Sequence, residues 1–259
     1  MNSLKRKLLL RKPMYDYLIK NGEIPYKKYT ISFSQILNTS IYISKLRPRS
    51  NEFIDQCPIS DHDLANRVNL IFNYLSPLKD KELLFIGDDD LTSAVIGYLT
   101  NTKLSVIDID KNLLSLISKK INNKSSQLIN ANILDIIDRK ISDPIKNNFD
   151  AFVTDPPYTE MGYKYFLSYG ISHLKIHGLA FIAVPYMNDE DWSAELLYKV
   201  EDFLIKNGLV IIETIPAFAE YMHEDKVLST MIVAKKVSIV RNINIKYKRT
   251  RTYTTGFEL

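Results

Sequence analysis

From Glu82 onwards the sequence alternates short apolar runs with segments of helical periodicity. The apolar runs lie at Leu83–Ile86, Leu104–Ile107, Gln127–Ile129 (the weakest), Ala151–Val153, Leu179–Val184, Leu209–Ile212 and Val227–Val233. The helical patterns lie between most of these runs, at Leu91–Leu99, Asn112–Ile121, Tyr163–Leu174 and Ala194–Ile205. Uninterrupted apolar runs separated by helices are typical of a parallel sheet that is covered on both faces. The pattern therefore predicts a doubly wound α/β domain.

Seven runs, of which the last two are closely spaced, suit the mostly parallel, Rossmann-like sheet of the class I methyltransferase type, whose final strand inserts antiparallel. We assign residues 81–240 to this catalytic domain. Residues 1–80 are predicted to form a small N-terminal α+β domain with a connector, and residues 241–259 a basic C-terminal tail. Within the N-terminal region the pattern predicts a helix at Leu4–Asn21, a β-rich stretch at Ser40–Ser44 and a helix at Asp61–Leu75 that begins with a polar cap.

The basic charge of the chain is concentrated at its two ends. Residues 1–28 carry eight Lys and Arg against two Asp and Glu, and residues 241–259 carry five against one. Residues 29–240 therefore carry 21 against 27, a net charge of −6. An acidic centre favours cationic ligands. The basic ends could contact nucleic acid, but charged ends that only aid solubility are the more common case, and a nucleic-acid partner is not expected.

Composition excludes several classes of protein. The single cysteine, Cys57, rules out a disulfide framework or a thiolate metal site within one chain. No apolar stretch approaches the length of a membrane span. A cytoplasmic protein that has no membrane partner is therefore the expectation, and a homodimer is compatible with the sequence.

The residues after the first run are the first candidates for a site, because open α/β sheets bind ligands beyond the carboxyl ends of their strands. Gly87 is followed here by Asp88, Asp89 and Asp90, where a methyltransferase normally has a glycine-rich loop. Asp90 or Thr92 could cap the next helix, but capping does not account for three acids. These acids would repel the carboxylate of S-adenosylmethionine, so they favour a decarboxylated donor that ends in an ammonium group.

Acids also follow the second and third runs. Asp110 stands at the end of the second strand, where an acid binds both ribose hydroxyls, while Asp108 lies within or just at the strand end. We expect Asp110 to bind the ribose hydroxyls. Asp135 follows the third run, where it could accept a hydrogen bond from the adenine amino group or be an ordinary loop acid.

The strongest motif follows the fourth run. Asp155-Pro156-Pro157-Tyr158 resembles the amine-binding motif of amino-group methyltransferases. The Asp155 carboxylate and the Pro156 carbonyl can both accept hydrogen bonds from one amine. The prolines restrict the backbone that carries these acceptors, and the Tyr158 ring offers a face to a base or a cation.

Further acids lie after the fifth and sixth runs. They are Asp189, Glu190 and Asp191 before Trp192, and Glu220, Glu224 and Asp225 around Tyr221 and His223. Each alone is typical of a solvated loop, but together they would form an acidic, aromatic-lined mouth for a polycation. The histidines show no spacing that predicts a metal site.

Over residues 47–235 the chain resembles the branched-chain polyamine synthases, the bis-aminopropyl-spermidine synthase family. The resemblance rests on Phe53–Pro58, Gly87–Ser93 and Thr154–Thr159, the last followed by Gly162, Phe166 and Leu167, with weaker support from Trp192 and Phe218–Tyr221. It implies that decarboxylated S-adenosylmethionine donates aminopropyl groups to the secondary amine of spermidine, giving branched polyamines and methylthioadenosine. It also implies catalytic roles for Asp88, Asp89, Asp90 and Asp155. Archaeal members carry a larger N-terminal winged-helix-like domain, so a shortened or altered domain is expected here.

The expected site residues fall into a catalytic, a donor-binding and an acceptor-binding group. Asp89, with Asp155, should orient the acceptor nitrogen and accept its proton, while Asp88 or Asp90 holds the donor's ammonium. The expected donor-binding residues are Gly87, Asp88, Asp110 and Asp135. The expected acceptor-binding residues are Asp155, Pro156, Tyr158, Glu160, Trp192 and Tyr221. Beyond the decarboxylated co-substrate we expect no cofactor and no metal.

Three alternatives remain open at this point. An S-adenosylmethionine-dependent amino-group methyltransferase acting on nucleic acid or a small amine would explain the Asp155 motif, although the lost glycines and the acidic centre disfavour it. A non-catalytic module could sense polyamines or nucleosides. A third possibility is transfer of a 3-amino-3-carboxypropyl group from ordinary S-adenosylmethionine, which requires a basic residue beside the donor's carboxylate.

Overall fold

Seven strands among the described residues form one sheet in the order β3-β2-β1-β4-β5-β7-β6. The strands are β1 Glu82–Ile86, β2 Lys103–Asp108, β3 Gln127–Asn130, β4 Phe149–Thr154, β5 Leu174–Pro185, β6 Leu209–Glu220 and β7 Leu228–Lys236. Strands β1 to β5 pair in parallel, and β7 lies antiparallel between β5 and β6. The predicted doubly wound α/β sheet of the class I methyltransferase type is thus confirmed.

This computed structural model describes residues 31–138, 140–146, 148–186, 191–222, 227–239 and 252–254 of the 259-residue chain. Residues Phe33–Leu259 belong to one compact unit, and residues Met1–Ser32 to another. The helix predicted at Leu4–Asn21 and nearly all of the tail predicted at 241–259 lie outside the described residues.

Helices cover both faces of the sheet. They are α1 Phe33–Ser44, α2 Asp61–Leu75, α3 Thr92–Leu99, α4 Lys111–Lys120, α5 Ile133–Ile137, α6 Glu160–Ser172 and α7 Asp191–Lys206. Because both faces are covered, the four consecutive residues Leu83–Ile86 are completely buried. The continuous apolar runs therefore become strands at the centre of the core.

The predicted β-rich stretch at Ser40–Ser44 was wrong, because these residues end helix α1. The buried residues of α1 are Ile36, Thr39, Ser40 and Ile43, which recur at helical spacing. Over only five residues, the alternation of isoleucine and polar residues imitates a strand. Among the described residues before β1, the β component is one isolated bridge between Ile59 and Tyr221.

The helix predicted at Asp61–Leu75 is confirmed with the same bounds. It begins at the predicted cap, since the Ser60 hydroxyl accepts a hydrogen bond from the Asp63 backbone nitrogen at 3.1 Å. Its buried face carries Arg67 among apolar residues towards the sheet. The strand order reverses between β1 and β4, so a crevice forms at the carboxyl ends of these two strands.

Candidate active site

Two adjoining cavities lie at this crevice. The strand-end cavity has a volume of about 70 Å³, and its wall includes Gly87, Asp88, Asp108 and Asn132. The outer cavity has a volume of about 500 Å³, and its wall includes Glu52, Cys57, Pro156, Tyr158 and Tyr221. Both cavities are lined by the shared residues Asp55, Gln56, Asp89, Asp155 and Pro157. The boundary between the cavities is therefore acidic.

Gly87 turns the chain sharply at the end of β1. Its φ of +67° lies in the left-handed region that glycine adopts without strain. Its backbone nitrogen donates to the Ile107 carbonyl at 2.9 Å, which holds the turn against β2. The three acids that follow leave this turn in different directions.

Asp88 points to the start of α3 and to the strand-end cavity. Its carboxylate accepts a hydrogen bond from the Ser93 backbone nitrogen at 3.0 Å, and the Ser93 hydroxyl donates to the same oxygen. Burial raises the pKa of Asp88 to about 8, although these two hydrogen bonds oppose the shift. The neutral acid is therefore favoured at pH 7.

Asp89 lines both cavities and is only partly buried. Within the described part of the chain, no group donates a hydrogen bond to its carboxylate and no cation lies within ion-pair distance. Burial and the neighbouring acids Asp90 and Asp155 raise its pKa well above the ordinary value, while Arg47 opposes them. Asp89 is the acid of the triplet that is open to ligands on both sides.

Asp90 instead holds the surrounding elements together. Its carboxylate lies 2.6 Å from Arg67 Nη1 and accepts a hydrogen bond from the Ile59 backbone nitrogen at 2.8 Å. It is 1% exposed and lines neither cavity. Neither Asp90 nor Thr92 caps α3, since Leu91 occupies the cap position without a side-chain hydrogen bond.

Asp155 follows β4 and lines both cavities. It lies 3.0 Å from Arg67 Nη2, and the Tyr221 hydroxyl donates to its carboxylate at 2.7 Å. Burial raises the pKa of Asp155, and the Arg67 charge opposes that rise. The Tyr158 and Tyr221 hydroxyl groups are 2.6 Å apart, so the motif tyrosine belongs to the same network. Pro156 lines the outer cavity beside it.

The two acids that were predicted to bind the ribose and the adenine, Asp110 and Asp135, do not line the strand-end cavity. Asp110 caps α4, because its Oδ1 accepts hydrogen bonds from the backbone nitrogens of Asn112 and Leu113. Asp110 does not line the strand-end cavity, whereas Asp108 does. Asp135 lies on α5, forms an ion pair with Lys140 at 3.7 Å, and is also absent from this wall.

Two of the predicted acceptor residues lie outside both cavity walls. Glu160 pairs with Lys164 at 2.5 Å and with Lys199 at 3.1 Å. Trp192 is 50% exposed on α7. Of the predicted acidic mouth, Asp189, Glu190, His223, Glu224 and Asp225 lie outside the described residues. Tyr221, which was also predicted to bind the acceptor, is 8% exposed and lines the outer cavity.

Arg67 and Tyr253 are among the residues of this site that sequence reasoning missed. Arg67 has a usable signal, because it falls at helical spacing between Leu64 and Ile71 on the apolar face of α2. Tyr253 is buried and lines the strand-end cavity. Its neighbour Thr254 donates from its backbone nitrogen to Asp55 at 2.8 Å. No pattern in the basic tail indicated this contact.

The described ranges contain neither a helix suited to a membrane nor a cluster suited to a metal ion. None of their helices combines the length and the apolar character that a bilayer crossing requires. The same ranges contain no group of three or more His, Cys, Asp and Glu side chains arranged to hold a metal ion.

A family model described as the branched-chain polyamine synthase A C-terminal domain matches residues 35–256. An uncharacterised protein of Methanocaldococcus jannaschii is 32% identical over 226 residues, which is 86% of this chain and 55% of that protein. An N(4)-bis(aminopropyl)spermidine synthase of Thermococcus kodakarensis is 29% identical over 194 residues, covering 74% of this chain and 54% of that enzyme. The chain thus spans about half the length of these relatives.

Among solved structures, the branched-chain polyamine synthase C9 mutein from Thermus thermophilus has a similar fold. That protein was crystallised with N4-aminopropylspermidine and 5'-methylthioadenosine. The TM-score is 0.70 at 19% identity, over 83% of this chain and 67% of that chain, so this likeness speaks for the fold alone. The family match covers both cavities, the acid triplet and the Asp155 motif. The chain therefore belongs to the family of the branched-chain polyamine synthase A C-terminal domain.

Proposed function

We propose that this chain is an aminopropyltransferase. It moves the aminopropyl group of decarboxylated S-adenosylmethionine to the secondary amine of a polyamine such as spermidine, and methylthioadenosine leaves. The observation that carries the proposal is that Asp89 and Asp155 line both cavities at their common boundary. The names of the Thermococcus relative and of the molecules in the Thermus structure support the same reaction.

The strand-end cavity would hold the nucleoside donor. We assign the ribose to Asp108 rather than Asp110, because Asp108 lines this cavity and Asp110 does not. The adenine would lie against residues 131–133 and not on Asp135. Asp88 and Asp89 would face the donor's amino end, where a bound ammonium group would favour their charged forms. This arrangement favours a bare ammonium over an amino acid.

The outer cavity would hold the acceptor. Its volume of about 500 Å³ lies within the range of small-molecule sites. Glu52, Asp55, Asp89 and Asp155 supply negative charge, and Tyr158 and Tyr221 supply aromatic surface. A flexible polycation would gain from both features, since ammonium groups bind carboxylates and aromatic faces.

The reaction itself requires a neutral acceptor nitrogen. The nitrogen lone pair attacks the donor's aminopropyl carbon, the carbon–sulfur bond breaks, and its electron pair converts the sulfonium into a thioether. Asp89 accepts the proton that the amine loses, and Asp155 orients the nitrogen. Because positive charge at sulfur is neutralised, alignment of the two substrates should account for most of the rate enhancement. Asp90 acts by holding Arg67 and Ile59 in place.

Mass spectrometry tests this function directly. The protein is incubated with decarboxylated or ordinary S-adenosylmethionine, and with spermidine, spermine or a control peptide. The expected result is the addition of one or more aminopropyl units to spermidine from the decarboxylated donor only. Methyl addition from ordinary S-adenosylmethionine would support the amino-group methyltransferase instead. Saturable binding without any product would support a sensing module.

A further inference from the structure

Arg67 lies between two carboxylates that come from neighbouring strand ends. Its Nη1 is 2.6 Å from Asp90 Oδ2, and its Nη2 is 3.0 Å from Asp155 Oδ2. Asp90 follows β1 and Asp155 follows β4, which are adjacent parallel strands. The arginine side chain is 3% exposed, so solvent screens these contacts very little. One guanidinium therefore fixes both strand ends at the cavity boundary.

The charges at this boundary do not balance. Asp89, Asp90 and Asp155 are three acids, and Arg67 is the buried cation that pairs with two of them. Arg47 reaches the region, but its Nη2 donates to the backbone carbonyl of Asp90. A carboxylate without a cation in such surroundings is unfavourable. Asp89 is therefore the acid with most to gain from a proton or from a bound ammonium.

The two acids at the cavity boundary, Asp89 and Asp155, differ in the hydrogen bonds that they accept. Asp155 Oδ2 accepts from Arg67 and from Tyr221, and its Oδ1 also accepts from Tyr221. These donors fix the orientation of Asp155 and stabilise its charged form. Asp89 has no such donor among the described residues. The direction of the pKa shift at Asp89, well above the ordinary value, agrees with this difference.

We propose that Arg67 is a positioning residue that gives the two acids different roles. It keeps Asp155 as an oriented carboxylate, and it leaves Asp89 as the group that takes the proton from the acceptor amine. The proton transfer rests on the proposed aminopropyl transfer, whereas the charge states of Asp89 and Asp155 are properties of the free protein. The two parts can therefore be tested separately.

Several elements contribute charged or titratable groups to this boundary. The groups that face the two acids or line the cavities beside them are Arg47, Glu52, Asp55, Cys57, Arg67, Asp88, Asp90, Asp108, Tyr158, Tyr221 and Tyr253. Arg67 forms ion pairs with two of the acids, Asp90 and Asp155, so its removal should affect Asp155 most directly. The pKa of Asp89 should change less, because only the loss of the Arg67 charge would affect it.

The test is a carbon-13 NMR titration of protein labelled at the aspartate carboxyl groups, with Asp89→Asn and Asp155→Asn used for assignment. In the unaltered protein, Asp155 should titrate at a lower pH than Asp89. In Arg67→Met, the pH midpoint of the Asp155 titration should rise by about one pH unit or more. In Arg67→Lys, the same midpoint should rise by a smaller amount. Lys81→Met removes a surface ion pair with Asp150 and is the matched control, with no change expected at Asp155.

A variant that fails to fold would not be informative, so Arg67→Met is also made together with Asp90→Asn, which removes a buried charge that has lost its partner. The inference is overturned if Asp155 titrates above Asp89, or if its midpoint is the same with and without Arg67. In kinetic assays, the low-pH limb of kcat/KM should move to higher pH in Arg67→Met and partly return in Arg67→Lys. If the unaltered protein transfers no aminopropyl group, the proposed function fails, while the titration still decides the charge states.

Discussion

The Tyr221 hydroxyl group lies 2.7 Å from each carboxylate oxygen of Asp155. Tyr221 directly follows β6, whose register against β7 shifts between Ile215 and Ala219. Within this bulge Ala217 has a φ of +49°, an unusual conformation for alanine. The bulge bends the end of β6 towards the loop after β4. An irregularity at the edge of the sheet thus supplies a hydrogen-bond donor to the acid at its centre.

Tyr221→Phe should lower kcat by about tenfold to hundredfold, because a hydrogen bond to a charged group is lost while the ring remains. That hydrogen bond lowers the pKa of Asp155, so its loss should raise this pKa and move the low-pH limb of kcat/KM to higher pH. Rates measured between pH 5 and pH 9 check both effects. Tyr198→Phe, at a position 69% exposed on α7, is the control. An unchanged pH profile in Tyr221→Phe would contradict the role.

Asp89→Asn should lower kcat by about a hundredfold to ten-thousandfold, because the amide cannot accept the proton of the acceptor amine. Asp155→Asn should also remove most of the turnover, since the orienting carboxylate is lost. Steady-state rates with spermidine and circular dichroism spectra check activity and fold together. Asp202→Asn removes a surface ion pair with Lys206 and should leave the rate unchanged. Near-normal rates in both site variants would exclude the assignment.

Asp90→Ala should lower the free energy of unfolding by about 3 kcal/mol, because it removes one partner of a buried ion pair. The Ile59 backbone nitrogen loses its acceptor in the same variant. Urea denaturation measures the change, and Asp202→Ala should differ from the unaltered protein by no more than about 0.5 kcal/mol. If Asp90→Ala is as stable as the control, Asp90 does not hold these elements together.

Asp88→Asn should stabilise the protein at neutral pH. The pKa of Asp88 is raised from 3.8 to about 8, so the unfolded chain loses this proton more readily than the folded protein. The resulting penalty is absent below the unfolded pKa and grows as the pH rises towards the folded pKa. The amide removes the penalty, and its oxygen can still accept from Ser93. We expect a gain of about 2–4 kcal/mol at pH 7.5 and little gain at pH 4, measured by urea denaturation. Equal effects at both pH values would contradict the raised pKa.

Gly162→Ala should disturb the loop that carries Asp155. A Cβ atom at this position would lie 2.5 Å from the Pro157 carbonyl oxygen, and a backbone atom cannot move aside without shifting the loop. We expect the free energy of unfolding to fall by about 1–3 kcal/mol, together with a loss of activity. Lys164→Ala, at a partly exposed position of the same helix, is the control. Full activity in Gly162→Ala would show that the loop tolerates displacement.

The sheet could be predicted because a strand that is buried on both faces is a continuous run of apolar residues. Leu83–Ile86 is such a run. The position of the Asp155 motif directly after a strand was predictable for a similar reason, since the ends of parallel strands converge on one edge of a sheet. The different contacts of Asp89 and Asp90 were not predictable, because the sequence does not show that Arg67 lies beside only one of these adjacent acids. Tyr253 was missed because its position depends on contacts with residues far away in the chain, such as Asp55.

Strand β7 follows β6 in the chain but lies between β5 and β6 in the sheet. During synthesis, β1 to β5 can therefore pair in parallel while β6 still lacks its neighbour. Only when residues 228–236 have left the ribosome can β6 join the sheet and bring Tyr221 to Asp155. Both cavities therefore acquire some of their wall residues only after β5, since Tyr221 lines the outer cavity and Tyr253 lines the strand-end cavity.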